Sequence, residues 1–307
     1  MTYFCVTIDT ECDMPNWKPK KDLTINNIKA LPKLHDLFDK YEIKPTYLVT
    51  YPIATMPLGI DTLRSLKIRN NCEIGTHFHP WTTPPISDIE ISNATFPHKL
   101  DEKLHKTKLI NLTNTIKKSF KISPKSYRAG RFGFDRIGLK IIEELNYEVD
   151  TSITPLTNWG MDFRKASVVP YFLDSENLCK PGASKILEVP VTIDINLPKS
   201  IKNIYKLSPE KIKGAFSYLG IRRLWLRPSL SSSKEMIKIS KILINNKVPV
   251  LNMMFHSNEL TVDGSPYNKN ERDIDNYFLK LEEFIKFINS IEVETKTLYE
   301  FSQLYKN

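Results

Sequence analysis

The chain has 307 residues, of which 41% are hydrophobic and 26% charged, with 44 basic and 35 acidic side chains and a formal net charge of +9. Such a length and balance suit a large globular core and exclude a disordered polymer. No run of about 18 apolar residues occurs, which excludes a hydropathic transmembrane helix, and the lysines are spread rather than clustered, so the basic surplus reads as a solvated surface and not as a nucleic-acid footprint.

Residues 3–8 form a β-branched and aromatic run that ends in Asp9-Thr10-Glu11-Cys12-Asp13. It reads as a buried strand spilling carboxylates at its C-terminal end, where α/β folds place their chemistry. No basic stretch precedes it, so no signal peptide is expected. The four cysteines, Cys5, Cys12, Cys72 and Cys179, form no Cys-x-x-Cys and read as reduced thiols of a cytoplasmic protein. Residues 14–24 are a polar, proline-containing loop in which Trp17 reads as a gap-filling plug, with a ring free to stack on a sugar face as the alternative.

Residues 25–41 carry Ile28, Leu31, Leu34, Leu37 and Phe38 near helical period, and residues 46–50 form a second strand. A helix over 60–68 and a strand over 72–74 follow. That strand delivers Glu73-Ile74-Gly75-Thr76-His77-Phe78-His79-Pro80-Trp81. Two imidazoles one residue apart, together with the acidic end of the first strand, form a candidate site for a divalent metal.

Residues 82–100 are rich in proline and serine and read as an excursion over the site, a candidate lid, with His98 and His105 as surface residues. Residues 101–120 predict a helix with Asp101 in its first turn and Lys117 and Lys118 in its last. Ser126-Tyr127-Arg128-Ala129-Gly130-Arg131-Phe132-Gly133 then sets two arginines beside two glycines. A helix over 136–146 leads to Asp150 at another strand end, and Trp159 lies in the loop beyond. Residues 186–193 read as a strand with Pro190 at an edge or bulge, 208–219 as a helix, 222–227 as a strand ending at Arg227, and 234–245 as a helix. The last buried strand, 249–255, ends at His256-Ser257-Asn258-Glu259; a helix over 274–288 and a short extended segment at 292–294 follow. Alternation of strand and helix points to an α/β fold with a parallel sheet or barrel. No linker is evident, so residues 1–307 read as one domain. Asp9, His77, Arg128, Asp150, Arg227 and His256 all sit at strand ends, which a parallel barrel gathers on one face.

In Thr7-Ile8-Asp9-Thr10-Glu11, Glu73-Ile74-Gly75-Thr76-His77, Tyr127-Arg128-Ala129-Gly130, Val149-Asp150-Thr151-Ser152 and Leu251-Asn252-Met253-Met254-Phe255-His256, the chain resembles the polysaccharide deacetylase superfamily of NodB-homology carbohydrate esterases. These motifs run in the family's order across residues 3–260, and the stretches around His79 and His256 resemble a branch associated with surface polysaccharides. The sequence departs from the family pattern twice. Thr10 stands where the family has a second aspartate, and Glu11 offers the ligand instead; the residue four after His77 is Trp81, which leaves His79 as the substitute ligand.

The resemblance implies a distorted (β/α)7-type barrel and a metal-dependent hydrolase that removes an N-acetyl group from an amino sugar, on a nucleotide- or lipid-linked precursor. It further implies Asp9 as base oriented by Arg128, His256 as acid paired with Asp150, and Glu11, His77 and His79 as ligands. Two nitrogen donors and one oxygen donor suit zinc first, with cobalt, nickel and iron as alternatives. Arg131, Arg227, Trp81 and Trp159 are the candidate substrate contacts; the two arginines either grip an anion or pair with an acid such as Glu73 or Asp135. The alternatives are another amide hydrolase on the same barrel, a deformylase or amidohydrolase, and a non-catalytic carbohydrate-binding relative.

Overall fold

The computed structural model describes residues 1–19, 22–69, 72–86, 95–195, 209, 221–291 and 293–306. Seven parallel strands form the wall of a distorted barrel. In spatial order they are β10 (Val250–His256), β1 (Tyr3–Thr10), β2 (Pro45–Val49), β3 (Glu73–Phe78), β4 (Ser126–Ala129), β5 (Val149–Asp150) and β7 (Leu187–Glu188). Strand β6 (Tyr171–Phe172) adds antiparallel to β7, and β11 (Glu294–Thr295) covers the start of β1. The (β/α)7-type expectation is met.

The antiparallel pair β8 (Ile193–Ile195) and β9 (Arg223–Trp225) fills the gap between the first and last strands of this wall. Thr192 N donates to the Asn252 carbonyl at 3.0 Å, Leu226 N to Thr192 O at 2.9 Å, and Met254 N to Leu226 O at 3.2 Å. The predicted strand over 186–193 is interrupted at Pro190, which has no N–H to give a ladder, and β7 and β8 lie on either side of it.

The strands are nearly fully buried, as parallel strands covered by helices must be. The outer layer comprises α1 (Leu31–Lys40), α2 (Tyr51–Thr55), α3 (Pro57–Arg69), α4 (Glu102–Phe120), α5 (Arg136–Glu144), α6 (Ser233–Asn245), α7 (Glu271–Ser290) and α8 (Leu298–Lys306). Their starts follow from local chemistry. Asp101 caps α4 through Leu104 N, Asp135 caps α5 through Gly138 N, and Ser232 with Glu235 makes a capping box on α6. The predicted helix over 208–219 lies outside the described residues, apart from position 209, and so do residues 87–94 of the candidate lid.

Inside the barrel the filling is polar as well as apolar. Arg128 crosses it from β4: Nε donates to Thr151 O at 2.9 Å, Nη2 to Thr7 Oγ1 at 2.8 Å, and Nη1 to Asp9 Oδ1 at 2.6 Å. Asn252 of β10 donates to Thr151 Oγ1 at 2.8 Å. Side chains from β1, β4, β10 and the end of β5 are thereby fixed against one another, which makes the floor of the site rigid. His105, expected at the surface, is instead buried on α4 with its ring stacked on Phe78 at 5.2 Å, because helix α4 turns that position toward the sheet. All four cysteines are free. Among the described residues no helix is long and apolar enough to cross a membrane.

Candidate active site and metal centre

The register of the sheet assembles the site. Asp9 on β1 stands beside His256 on β10, and His77 on β3 stands beside Arg128 on β4. All four positions lie at strand ends, and the loops that follow supply Glu11 and His79.

Glu11, His77 and His79 are buried and bring one ligand atom each within 4.8 Å of one another. Glu11 Oε2 is 2.7 Å from His79 Nε2 and 3.7 Å from His77 Nε2. Donors around a small tetrahedral ion with bonds near 2 Å are spaced roughly 3–3.5 Å apart; the 2.7 and 3.7 Å sides fall on either side of that span, so the three groups could hold a divalent cation with small side-chain shifts. The supporting contacts fit as well. His77 Nδ1 faces the Arg128 carbonyl at 3.2 Å, which assigns the N–H there and the lone pair to Nε2. Glu11 Oε1 accepts from Asn258 Nδ2 at 3.3 Å, and Ser257 Oγ accepts from Glu11 N at 3.1 Å. Burial lowers the His77 imidazole to about 4 and that of His79 to about 3, so both rings are neutral near pH 7, as ligands must be. Burial also raises the Glu11 carboxyl, with Asp9 adding to the rise. Gly130 makes room for this geometry, since a Cβ there would collide with the His79 ring and the Phe78 carbonyl.

Asp9 adjoins the triangle, its Oδ2 lying 3.7 Å from His77 Nε2 and 3.6 Å from His256 Nε2. Burial alone would raise its pKa, but Arg128, His77 and His256 together hold the carboxyl well below the usual range.

The partner of His256 corrects the expectation. His256 Nδ1 lies 2.8 Å from Glu259 Oε1, not against Asp150. Glu259 Oε1 also accepts from the His256 N–H at 3.0 Å and from Arg227 Nη2 at 2.6 Å, and Ser229 Oγ donates to Glu259 Oε2. Although burial pushes the Glu259 carboxyl up, Arg227 and His256 outweigh it and hold it at about 2. Asp150 instead accepts from Ser152 Oγ at 2.6 Å and Ser152 N at 3.1 Å, and it bonds the Glu188 carboxyl, whose burial beside Asp150 raises it far above the ordinary range. The reason is chain geometry. Residues 257–260 form a 3₁₀ turn that folds Glu259 back under the ring of His256, whereas Asp150 is fully buried within the barrel.

A cavity of about 390 Å³ opens over these groups. Asp9, Glu11, His77, His79, His256 and all four predicted substrate contacts, Trp81, Arg131, Trp159 and Arg227, line it. Arg128 and Asp150 lie in the barrel interior, fully buried. The sequence reading missed Met14, Phe96, Phe132, Trp225, Leu230 and Tyr267, which also line the wall, and it misjudged Trp17. Far from plugging a gap, Trp17 forms cavity wall with its ring 4.8 Å from that of His256.

No family model matches the sequence, and no curated protein does. Solved structures match in fold. A protein from Parabacteroides distasonis provisionally described as a glycoside hydrolase/deacetylase aligns with 99% of this chain and 71% of its own at a TM-score of 0.68 and 12% identity. A protein from Mycobacterium smegmatis provisionally described as a polysaccharide deacetylase aligns with 91% of this chain and 78% of its own at a TM-score of 0.54 and 14% identity. The chain shares the fold of the polysaccharide deacetylases. At this identity the likeness concerns the deacetylase fold, and the chemistry has to be argued from the side chains.

Proposed function

We propose that the chain is a metal-dependent hydrolase that removes an N-acetyl group from an amino sugar carried on a nucleotide- or lipid-linked precursor of a surface glycan. Residues 1–307 act as one catalytic unit, in the cytoplasm, where four free thiols are at home. One observation carries the reading: a three-donor ligand set, a buried carboxylate and a carboxylate-bound histidine converge on a single cavity. Deacetylase descriptions among the fold neighbours support the amide of an N-acetyl sugar as the bond attacked.

Glu11, His77 and His79 would hold the ion, zinc by preference and cobalt, nickel or iron as alternatives. When bound, a divalent ion polarises the scissile carbonyl and acidifies a water molecule. Asp9 takes the proton of the attacking water on Oδ2, the oxygen that faces the ligand cluster. Arg128 occupies Oδ1 and keeps the carboxylate charged and aimed. His256 donates a proton to the departing amine from Nε2, while Glu259 fixes the ring through Nδ1. Trp17, Trp81, Trp159 and Trp225 offer apolar faces for a pyranose ring. Asp150 buttresses the barrel interior that holds Arg128.

Purified protein tests this directly. Elemental analysis should find about one divalent ion per chain, and incubation with N-acetylated nucleotide sugars or lipid-linked sugars should release acetate. Protein that takes up no ion even in excess, and frees no acetate, would remove the proposal.

A further inference from the structure

The cavity is lined by two arginines, and the structure treats them differently. Arg227 is bound by Glu259 at 2.6 Å. Arg131 donates from Nη2 to the Trp17 carbonyl at 3.0 Å, and its guanidinium carbon sits 5.4 Å from the ring centres of both Trp81 and Phe96. Among the described residues it forms no ion pair, and the one acid whose field it feels is Glu11, which belongs to the ligand cluster. Trp81 in turn packs against the ring of His79, the centroids 4.0 Å apart and the planes tilted by 42°. The uncommitted cation is therefore one aromatic ring away from the metal centre.

Its backbone is also held at a cost. Arg131 and Phe132 both have left-handed φ, 53° and 55°. A side chain at Cβ crowds the backbone in this conformation, which glycine adopts without strain. Strain of this kind persists where the surroundings fix it, and it clusters at ligand-binding positions. Glycine at 131 would relieve the strain and lose the guanidinium.

Charge bookkeeping over the lining gives the same answer. Arg128 balances Asp9 and Arg227 balances Glu259, so a divalent ion on Glu11 together with Arg131 leaves the cavity net positive. We propose that Arg131 reads a negative group, a carboxylate or a phosphoryl group, carried by the substrate near its N-acetyl group, so that the pocket selects anionic over neutral N-acetyl sugars. Flat, forked donors pinned between aromatic faces suit either anion. This deepens the deacetylase reading and rests on it for the identity of the sugar.

The test is a binding measurement that needs no turnover. Titration calorimetry on the full chain, metal-free and metal-loaded, compares N-acetylglucosamine with its 1-phosphate, its 6-phosphate and the corresponding 6-uronate. At least one charged sugar should bind about tenfold or more tighter than the neutral one, the span expected of a charged hydrogen bond, and the tightest arm identifies the anion. Arg131→Met should erase the preference and Arg131→Lys should keep part of it, with circular dichroism and metal content confirming that each variant is folded. Equal binding of the four sugars, binding of none, or a preference that survives Arg131→Met overturns the proposal. A preference that holds in protein releasing no acetate leaves Arg131's role standing and removes the hydrolase reading alone.

Discussion

Two buried arginine–carboxylate pairs flank the imidazole of His256, and they are built in different ways. Asp9 and Arg128 both sit on strands of the wall, and the guanidinium spends its donors on Asp9, Thr7 and Thr151 inside the barrel. Glu259 and Arg227 sit on a short turn and just past β9, and Glu259 divides its Oε1 among Arg227, the His256 ring and the His256 N–H. The first pair is part of the scaffold and fixes the Asp9 carboxylate in place, as the proposed base requires. The second is a local clasp around one ring. Removing a member of either pair should hurt activity and stability, and the first, bonded across the barrel interior, should cost the fold more.

The largest effect should come from the scaffold pair. Arg128→Met leaves the Asp9 carboxylate buried and unpaired, which destabilises a protein by about 3–5 kcal/mol. Urea unfolding should show that loss. Asp9→Asn leaves the buried Arg128 guanidinium without its counter-charge, so it should lose stability as well, and in addition lose about 10²–10⁴ in rate, the usual contribution of a general base. A mild stability change in Arg128→Met would mean that the pair is not structural.

Next in size is the ion. A cation held by Glu11, His77 and His79 binds the folded chain alone, so free metal at about 100 times its dissociation constant should stabilise by about 2.7 kcal/mol. Thermal unfolding with and without a chelator measures the shift. His79→Ala should abolish it, and Gly130→Ala should weaken it by pushing on the His79 ring. A shift that survives His79→Ala would place the ion elsewhere.

The clasp pair has a pH signature. The Glu259 carboxyl is held at about 2, below the ordinary glutamate value, by Arg227 and His256 acting against burial. A depressed carboxylate adds stability above its unfolded pKa, and that stability is lost as the pH falls through the folded value. Metal-free wild type should therefore lose stability between about pH 4.5 and 2, where Glu259→Gln should show a shallower slope. At pH 7 Glu259→Gln should also slow turnover by about 10²-fold, because His256 loses the carboxylate that orients it, and the pH profile of kcat should move with it. An unchanged profile would leave Glu259 a structural residue only.

The contrast also accounts for what the sequence disclosed. Asp9, His77, Arg128 and His256 end apolar runs, and a parallel barrel brings such ends together whatever its loops do. That is why the fold and the convergence of Glu11, His77 and His79 were legible from motif order. Glu259 was hidden because its place beside His256 arises from a four-residue turn. Only the spacing His256-x-x-Glu259 announces it, and many exposed turns share that spacing. Asp150 had the same strand-end signature as Asp9. What separates them is the direction of the side chain and a neighbouring carboxyl, Glu188, from a strand 38 residues further on. In the aromatic wall, Trp17, Phe96 and Tyr267 come from separate loops, which carry no periodicity to read, and Trp225 comes from the end of β9.

The smallest expected effect is the sharpest discriminator between the two pairs. Asp150→Asn keeps the side-chain volume and can still accept from Ser152, while it changes the buried pair with Glu188. If Glu259 alone orients His256, this variant should lower kcat by less than about tenfold and leave the pH profile in place, since general acid help worth about 10²–10⁴ would be intact. Its main trace should be a modest loss of stability, of the order of 1–3 kcal/mol for a disturbed buried hydrogen bond. The double variant with Glu259→Gln should then combine nearly additively. Should Asp150→Asn instead silence the protein as fully as Glu259→Gln, with strong non-additivity between them, the two carboxylates would act as one unit. The clasp around His256 would then extend through the barrel interior to Asp150.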